Sequence, residues 1–191
     1  MDKTDLRAQL EKYHSASYGW ALSCCSRDRG EAESVLQTVY LKVLEGKARY
    51  DERASFKTWL FSVIRKTAAD SRRWNLLRRL RLTGYREAAD RKSGEDPDKA
   101  IYRSEIQILF QRALASLPKR QQEVLQLVFY HEMSLQEAAE VMGISVGSAR
   151  VHYERGKNRI RQWAKSSKVF DETELGREEN RGVVSGSEAG G

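Results

Sequence analysis

The side chains of this chain best suited to chemistry are basic ones that fall together on predicted helical faces. One such face carries Arg65, Lys66, Asp70 and Arg73, with Trp74 beside them. Cationic side chains hold phosphates, and the bases of a single strand stack on an aromatic ring, so the set is typical of single-stranded nucleic-acid binding. A solvent-exposed basic face whose tryptophan closes a hydrophobic core would give the same pattern. Composition alone leaves both interpretations open.

A second basic face lies on a predicted helix that begins after Ser145. Its buried side is predicted to hold Ala149, Tyr153, Gly156, Ile160 and Trp163. Its outer side carries polar and basic residues, which are Ser148, Arg150, His152, Arg155, Lys157 and Arg159. Arginine binds guanine edges bidentately, whereas lysine and serine mostly hold phosphates. This helix is therefore a candidate for reading duplex DNA.

The segment before this helix predicts a helix-turn-helix. Ser134 and Glu137 have the spacing of a capping box, in which each side chain bonds a free backbone N–H. Gly143 supplies a turn before the second helix. Two short helices joined by such a turn place the second in the major groove of DNA. A plain helical hairpin with a solvated basic face is the alternative.

Signals of enzymatic chemistry are weak in this sequence. His14, His131 and His152 show no metal-ligand spacing, and neither a Gly-rich phosphate loop nor paired catalytic carboxylates stand out. His14 with Cys24 and Cys25 would lack a clear fourth zinc ligand. Adjacent cysteines also make a poor structural disulfide. We therefore expect a protein that is not an enzyme and that needs no metal and no cofactor.

Composition favours a helical protein with an anionic partner. The chain has 191 residues, 34 of them Lys or Arg and 27 Asp or Glu, which gives a net charge of +7 and favours a polyanion as partner. Only Pro97 and Pro118 interrupt helical patterns. No apolar run approaches the ~20 residues that a membrane helix needs, and no secretory signal is visible. The predicted location is cytoplasmic, with no membrane insertion.

Charge and composition divide the chain into segments. Residues 86–99 contain Gly94 and Asp96-Pro97 and no large apolar side chain, as is typical of a linker. From Ser166 onward the chain has three basic and six acidic residues and ends in a Gly- and Ser-containing stretch, which predicts a disordered acidic tail. The predicted fold is all-α, with a domain over 6–82, a linker over 83–100, a second domain over 101–165 and a tail over 166–191.

One predicted helix of the first domain has an unusual apolar residue. Leu36, Val39, Tyr40, Val43 and Leu44 follow the spacing of a single buried face. Leu41 falls on the opposite, polar face. It is either one exposed leucine, as many proteins have, or a contact with a partner.

The sequence resembles a known family, the bacterial RNA polymerase sigma factors. The stretch LASLPKRQQEVLQLVFYHEMSLQEAAEVMGISVGSARVHYERGKNRIRQW is similar to sigma region 4, which recognises the −35 promoter element. Two further stretches, AESVLQTVYLKVLEG and SFKTWLFSVIRKTAADSRRW, are similar to region 2, which binds the polymerase clamp and reads the −10 element. Having only these two regions resembles the extracytoplasmic-function (ECF) subfamily.

The resemblance implies three sets of contact residues. The polymerase clamp would be bound by Gln37, Tyr40, Leu41 and Glu45. The −10 element would be bound by Lys57, Arg65, Lys66, Asp70, Arg73 and Trp74, beside a base-capturing loop over residues 50–58. The −35 element would be bound by Ser148, Arg150, Val151, His152, Arg155 and Lys157. The implied partners are core RNA polymerase, through its clamp and flap, promoter DNA and an anti-sigma protein.

Four positions depart from the pattern of the family. Ser34 stands where aspartate is usual, and Lys66 stands where asparagine is usual in the −10 reader. Val151 and His152 replace a common serine and arginine. Lysine only donates hydrogen bonds where asparagine also accepts them, and valine suits a thymine methyl, so the resemblance does not specify the promoter sequence. A stand-alone helix-turn-helix regulator remains the alternative, although it gives the Gln37 helix no role.

Overall fold

The structure is a computed structural model that describes residues 2–82 and 111–166. Within these ranges the chain forms helices and turns and no strand. The helices are α1 (Lys3–Lys12), α2 (His14–Cys24), α3 (Arg29–Leu44), α4 (Phe56–Leu82), α5 (Lys119–Phe129), α6 (Leu135–Met142) and α7 (Val146–Ser166). Residues 111–115 are also helical and precede α5. The all-α prediction is confirmed, while the predicted linker, residues 101–110 and nearly all of the predicted tail lie outside the described residues.

Side chains at the helix ends explain where α3 and α4 begin. The Asp28 carboxylate accepts a hydrogen bond from the Glu31 backbone N–H at 2.9 Å and so caps α3. After α3, Gly46 adopts a left-handed conformation with φ of 72°, which suits a glycine after a helix. The Ser55 hydroxyl accepts the Thr58 N–H at 3.1 Å and so caps α4.

The first core is formed where α2, α3 and α4 pack against each other. Trp20 is fully buried, donates its indole N–H to the Phe61 carbonyl at 3.0 Å and stacks on the Phe61 ring. Val35, Val39, Leu60 and Ile64 complete this core. The apolar residues upstream of α3 form two helices, of which α1 packs against both α2 and α3.

The second core belongs to the helix-turn-helix formed by α6 and α7 on α5. The predicted capping box at Ser134 and Glu137 is present, and Gly143 turns the chain with φ of 63°. Ser145 caps α7 through the Ser148 N–H at 3.2 Å. Helix α5 begins at Lys119, because Pro118 takes the cap position with extended ψ.

The two cores also contact each other, which the sequence did not indicate. Helix α4 packs along α6, and its side chains also reach α5 and the turn that follows it. Helix α5 is consequently covered from two sides, because Leu125 lies against Gly156 of α7 and Glu123 pairs with Arg65 of α4. This arrangement decides which candidate functional residues face solvent.

Candidate nucleic-acid and polymerase interfaces

A continuous stripe of exposed residues runs along α4. Lys66, Asp70, Arg73 and Trp74 are all exposed, and their spacing places them on successive turns of one helical face. Trp74 is 65% exposed, so it does not close the core and that interpretation is wrong. These four residues are called the α4 stripe below. They combine cations and an aromatic ring, which suits a single nucleic-acid strand.

Two leucines extend this exposed region and were missed in the sequence. Leu76 and Leu77 are 58% and 45% exposed, beside the arginine and tryptophan of the α4 stripe. They follow Arg73 by three and four residues, and this spacing could have revealed them. The end of α4 therefore presents apolar surface together with positive charge.

The other two predicted −10 residues, Lys57 and Arg65, contact the second domain instead of facing solvent. Arg65 donates from Nε and Nη2 to the Glu123 carboxylate, at 3.3 and 3.2 Å. Lys57 donates to the His131 backbone carbonyl. Lys57, Arg65, Glu123 and His131 are called the interdomain contact below. The structure thus divides the predicted −10 set into an exposed part and a covered part.

His131 inserts its ring against aromatic side chains of the first domain. Its ring meets the edges of Trp20 and Phe61, with ring centroids 5.9 and 4.8 Å away. Burial, and secondly the charge of Lys57, lower the pKa of His131 to about 4. The imidazole is therefore neutral at neutral pH, as its apolar surroundings require.

The loop before α4, predicted to capture a base, carries aromatic side chains that pack on one another. Tyr50 contacts Phe56 and Trp59, with both ring centroids 5.3 Å away. The Tyr50 hydroxyl donates to the Ala54 carbonyl at 2.7 Å and so closes the loop. Glu52, inside this loop, has a positive φ of 61°, a conformation that most side chains avoid. The loop is held in one shape by these contacts.

The outer face of α7 is exposed at most of the predicted −35 positions. Ser148, Arg150, Val151 and Arg155 are exposed, and they are called the α7 outer face below. His152 is half-buried. Lys157 lies 4.8 Å from the centre of the Tyr153 ring and 3.4 Å from the Glu154 carboxylate. The predicted set therefore spreads around more of the helix than one groove contact covers.

Two central residues of the exposed side of α7 were missed in the sequence. Glu154 and Asn158 are exposed and follow Val151 by three and seven residues, which places them in one row along the helix. The buried Ala149 and Gly156 mark the opposite side. Extending the helical spacing from Val151 would have found both residues.

The outer face of α3 presents an apolar pair among polar residues. Gln37 and Glu45 are exposed, and Leu41 is 57% exposed. Leu44 is 38% exposed, so its assignment to the buried face is wrong. The reason is that Leu44 lies two helical turns after Gln37 and shares its face. Gln37, Leu41, Leu44 and Glu45 are called the α3 outer face below.

Tyr40 lies at the edge of that face. It is half-buried, and its hydroxyl lies 3.1 Å from His14 Nδ1. Burial raises the pKa of the Tyr40 phenol, so the hydroxyl stays protonated and can donate to the imidazole. A partner bound to α3 would reach the rim of this ring.

The candidate metal ligands do not come together. Within residues 2–82 and 111–166, no three His, Cys, Asp or Glu side chains form a cluster that could hold a metal ion. Cys24 and Cys25 are free and buried, and burial raises the pKa of Cys25 to about 12. Burial raises the pKa of Cys24 as well, so both thiols stay protonated. Among the same residues no helix is long and apolar enough to cross a membrane.

Comparison with known proteins matches both halves of the chain. The family model for Sigma-70 region 2 matches residues 10–83, and the model for Sigma-70, region 4 matches residues 107–160. The ECF RNA polymerase sigma factor SigX of Bacillus subtilis is 28% identical over 182 residues, which is 91% of this chain and 92% of SigX. The ECF RNA polymerase sigma factor SigF of Caulobacter vibrioides is 32% identical over 126 residues, 66% of each chain.

Two solved structures share the fold. The sigma factor RpoE of Bartonella quintana, in complex with the anti-sigma factor NepR, matches with a TM-score of 0.67 at 22% identity, over 84% of this chain and 97% of that one. CnrH, in complex with the cytosolic domain of CnrY, matches with a TM-score of 0.59 at 18% identity, over 86% and 90% of the two chains.

Proposed function

Because this chain belongs to the ECF subfamily of sigma-70 transcription initiation factors, which confer promoter recognition on RNA polymerase, we propose how its surfaces divide that task. The α3 outer face binds the polymerase clamp, the α4 stripe binds the −10 element, and the α7 outer face binds the −35 element. The observation that carries this assignment is the exposure of all three surfaces on separate helices.

The proposed −10 contact uses the cationic and the aromatic side chains of the α4 stripe. Lys66 and Arg73 hold phosphates of the non-template strand, and Trp74 stacks on an unpaired base. Pulling a base out of the duplex costs a few kcal/mol, and a stacking surface offsets part of that cost. Tyr50 in the loop before α4 and Trp59 in the first turns of α4 add further ring surface.

The proposed −35 contact places α7 in the major groove. Val151 lies at the centre of the exposed side and suits a thymine methyl. Arg155, one turn later on the exposed side, reaches a guanine edge. Ser148, Arg150 and Lys157 flank these two residues and hold phosphates, which fix the register of the helix.

The proposed polymerase contact rests on the exposed leucines of α3. Leu41 and Leu44 lie side by side among polar residues, an arrangement that a partner surface would bury. Tyr40 adds the edge of a half-buried ring. The second domain binds the polymerase flap in the same assembly.

The linker length is compatible with reading both elements at once. The 18 residues from 83 to 100 span at most about 60 Å when extended. One turn of duplex is about 34 Å, so the two domains can reach sites nearly two turns apart. Because the polymerase and the linker hold the two domains together, two contacts that are weak alone give tight binding in combination.

Three further parts of the proposal concern the setting. The protein acts in the cytoplasm, is not itself an enzyme, and works without a cofactor. An anti-sigma protein is a candidate partner, since the similar RpoE and CnrH chains were solved in complexes of that kind or with a cytosolic partner domain. With the domain boundaries proposed from the sequence, 6–82 and 101–165, the α3 outer face and the α4 stripe belong to the first domain and the α7 outer face belongs to the second.

Run-off transcription from a genomic promoter library tests the function. Purified core polymerase is used with and without the protein, and we expect start sites that appear only when it is present. The Leu41→Asp variant should abolish these transcripts because it puts a charge on the apolar clamp contact. Val146→Asp, at an exposed apolar residue at the start of α7, is the matched control in a capture assay with core polymerase and no DNA, in which only Leu41→Asp should lose binding.

Polymerase capture and DNA protection separate the alternatives. If core polymerase does not retain the protein, while the protein alone protects duplex sites, the stand-alone regulator is correct. Transcription that is unaffected by Leu41→Asp would overturn the assignment of the clamp surface.

A further inference from the structure

Arg65 is expected to bind the −10 strand, but in the structure it pairs with Glu123 of the second domain. The resemblance to the family places it among the residues that line the −10 strand, yet two of its donor nitrogens, Nε and Nη2, point at one oxygen of Glu123. The Glu123 side chain is only 6% exposed and that of Arg65 is 23% exposed. These two donor nitrogens are therefore withheld from DNA while the pair exists.

Glu123 is buried because of the interdomain contact, and it has to be paired there. A carboxylate removed from water is stable only when it is paired or hydrogen-bonded. Arg65 supplies that pairing from the other domain. The same interface holds other polar contacts, namely Lys57 to the His131 carbonyl, Thr58 to Glu137 and Arg27 to Gln111. Together with the ring contacts of His131 on Trp20 and Phe61, these make an interface of mixed polar and apolar character, and relative motion is expected of domains joined in this way.

We propose that Glu123 occupies the place of a DNA phosphate on Arg65, so that the −35 domain inhibits −10 binding until the two domains separate. This inference rests on the proposed function, and it extends the proposed −10 contact from the α4 stripe to Arg65, which the resemblance to the family places among the −10 residues. Lys57 is withheld from DNA in the same way, by the His131 carbonyl. The α4 stripe remains exposed, so the closed protein keeps part of the −10 surface and lacks the rest.

The geometry predicts whether each substitution strengthens or weakens binding of the −10 strand. Glu123→Gln keeps the size of the side chain and removes the charge that holds Arg65, so the domains separate more readily. Apparent affinity scales with the fraction of molecules in the competent state, and we expect about 5–10-fold tighter binding of the −10 strand. Arg65→Ala breaks the same pair but removes a phosphate contact, so it opens the protein and weakens binding.

The experiment measures binding of a fluorescent 12-nucleotide non-template strand, taken from the −10 element of a promoter mapped by run-off transcription. Wild type, Glu123→Gln, Arg65→Ala and the double variant are compared as full-length proteins. Glu140→Gln, which changes an exposed glutamate on α6, is the matched control and should leave binding unchanged. Small-angle scattering should give a larger radius of gyration for both single variants.

The double variant and the holoenzyme make the result decisive. Glu123→Gln should give no gain when Arg65 is already alanine, and no gain in the assembled polymerase, where the domains are held apart. Equal binding by wild type and Glu123→Gln, when Arg65→Ala weakens binding, would overturn the inhibition and leave the proposed function intact. Absence of −10 binding by every protein, in free and polymerase-bound form, would instead refute the proposed function.

Discussion

The imidazole of His131 meets the ring of Phe61 edge to face, with ring centroids 4.8 Å apart and ring planes at 89°. Phe61 belongs to α4 of the first domain, and His131 follows α5 of the second. Trp20 meets the same imidazole at 83°, so two aromatic rings of the first core enclose it. This single side chain therefore joins the two cores and makes their contact sensitive to protonation.

Stability should fall in acid because of His131. Its pKa is about 4 in the folded protein and 6.5 for an ordinary histidine, owing to burial and to Lys57. Between these values the unfolded chain binds the proton and the folded chain does not, so stability is complete above pH 6.5 and is lost as the pH falls toward 4. Thermal unfolding at several pH values should show an extra decrease in Tm on the order of 5 °C for wild type relative to His131→Phe.

The His131→Phe variant is the internal control for this measurement. It keeps an aromatic ring against Trp20 and Phe61 and cannot take up a proton. Carboxylates such as Glu137 titrate equally in both proteins and cancel in the comparison. Parallel Tm curves for the two proteins would show that His131 does not carry the effect.

Removing Trp74 should weaken binding of the non-template strand. Stacking of a base on an aromatic ring contributes about 1–3 kcal/mol, so Trp74→Ala should raise Kd for the −10 strand by about 5–150-fold. Fluorescence anisotropy with the assembled polymerase measures this. Tyr130→Ala alters an exposed aromatic residue of similar exposure outside the α4 stripe. A comparable loss in both variants would mean that the effect is not stacking at Trp74.

Arg155 should determine discrimination at one base pair of the −35 element. Loss of a bidentate contact with guanine costs about 1–3 kcal/mol and relaxes selectivity at that position. We expect Arg155→Ala to show this in a binding series over all substitutions of the −35 duplex. Arg161→Ala, at an exposed arginine farther along α7, should at most weaken all duplexes equally. Unaltered discrimination by Arg155→Ala would remove Arg155 from base reading.

Gly156 should not tolerate a side chain. A Cβ at this position would lie 2.9 Å from Leu125 Cδ1 and 3.3 Å from Leu125 Cγ, and Leu125 is itself buried. Gly156→Ala should therefore destabilise the packing of α7 on α5 by about 1–3 kcal/mol, seen as a lower urea midpoint. At Gly147, in the same helix, the nearest side-chain atom would be 3.9 Å away. Gly147→Ala should be neutral or slightly stabilising, as alanine favours helices.

The acidic tail should compete with DNA for basic surface. Along α5, Arg65 contacts Glu123 and Lys57 contacts His131, while Arg159 contacts Gln121 and Tyr153 stacks on Phe129, so α4 and α7 both run antiparallel to α5. They therefore end toward the same end of α5, which is also the end toward which the α4 stripe extends. Ending the chain after Lys165 should strengthen DNA binding several-fold at low salt and less at high salt, because screening weakens charge attraction. Salt titrations with and without the tail measure this, and identical affinities at low salt would exclude the competition.

The helix ends and turns follow from the sequence because each depends on residues that are close together along the chain. The capping box of Ser134 and Glu137, the left-handed Gly143 and the cap at Ser55 each depend on residues within one turn. The helical periodicity also identified the core side of α3, apart from Leu44. The resemblance to the family assigned both domains, and the family models match the same halves of the chain.

Only the tertiary structure decided which functional residues face solvent. Arg65 and Arg73 are both arginines on one helix, and no local signal distinguishes them. Arg65 is covered because Glu123, far along the chain, needs a cationic partner when the domains pack. Such pairing depends on how two separately folded cores meet, and periodicity within one helix carries no information about it.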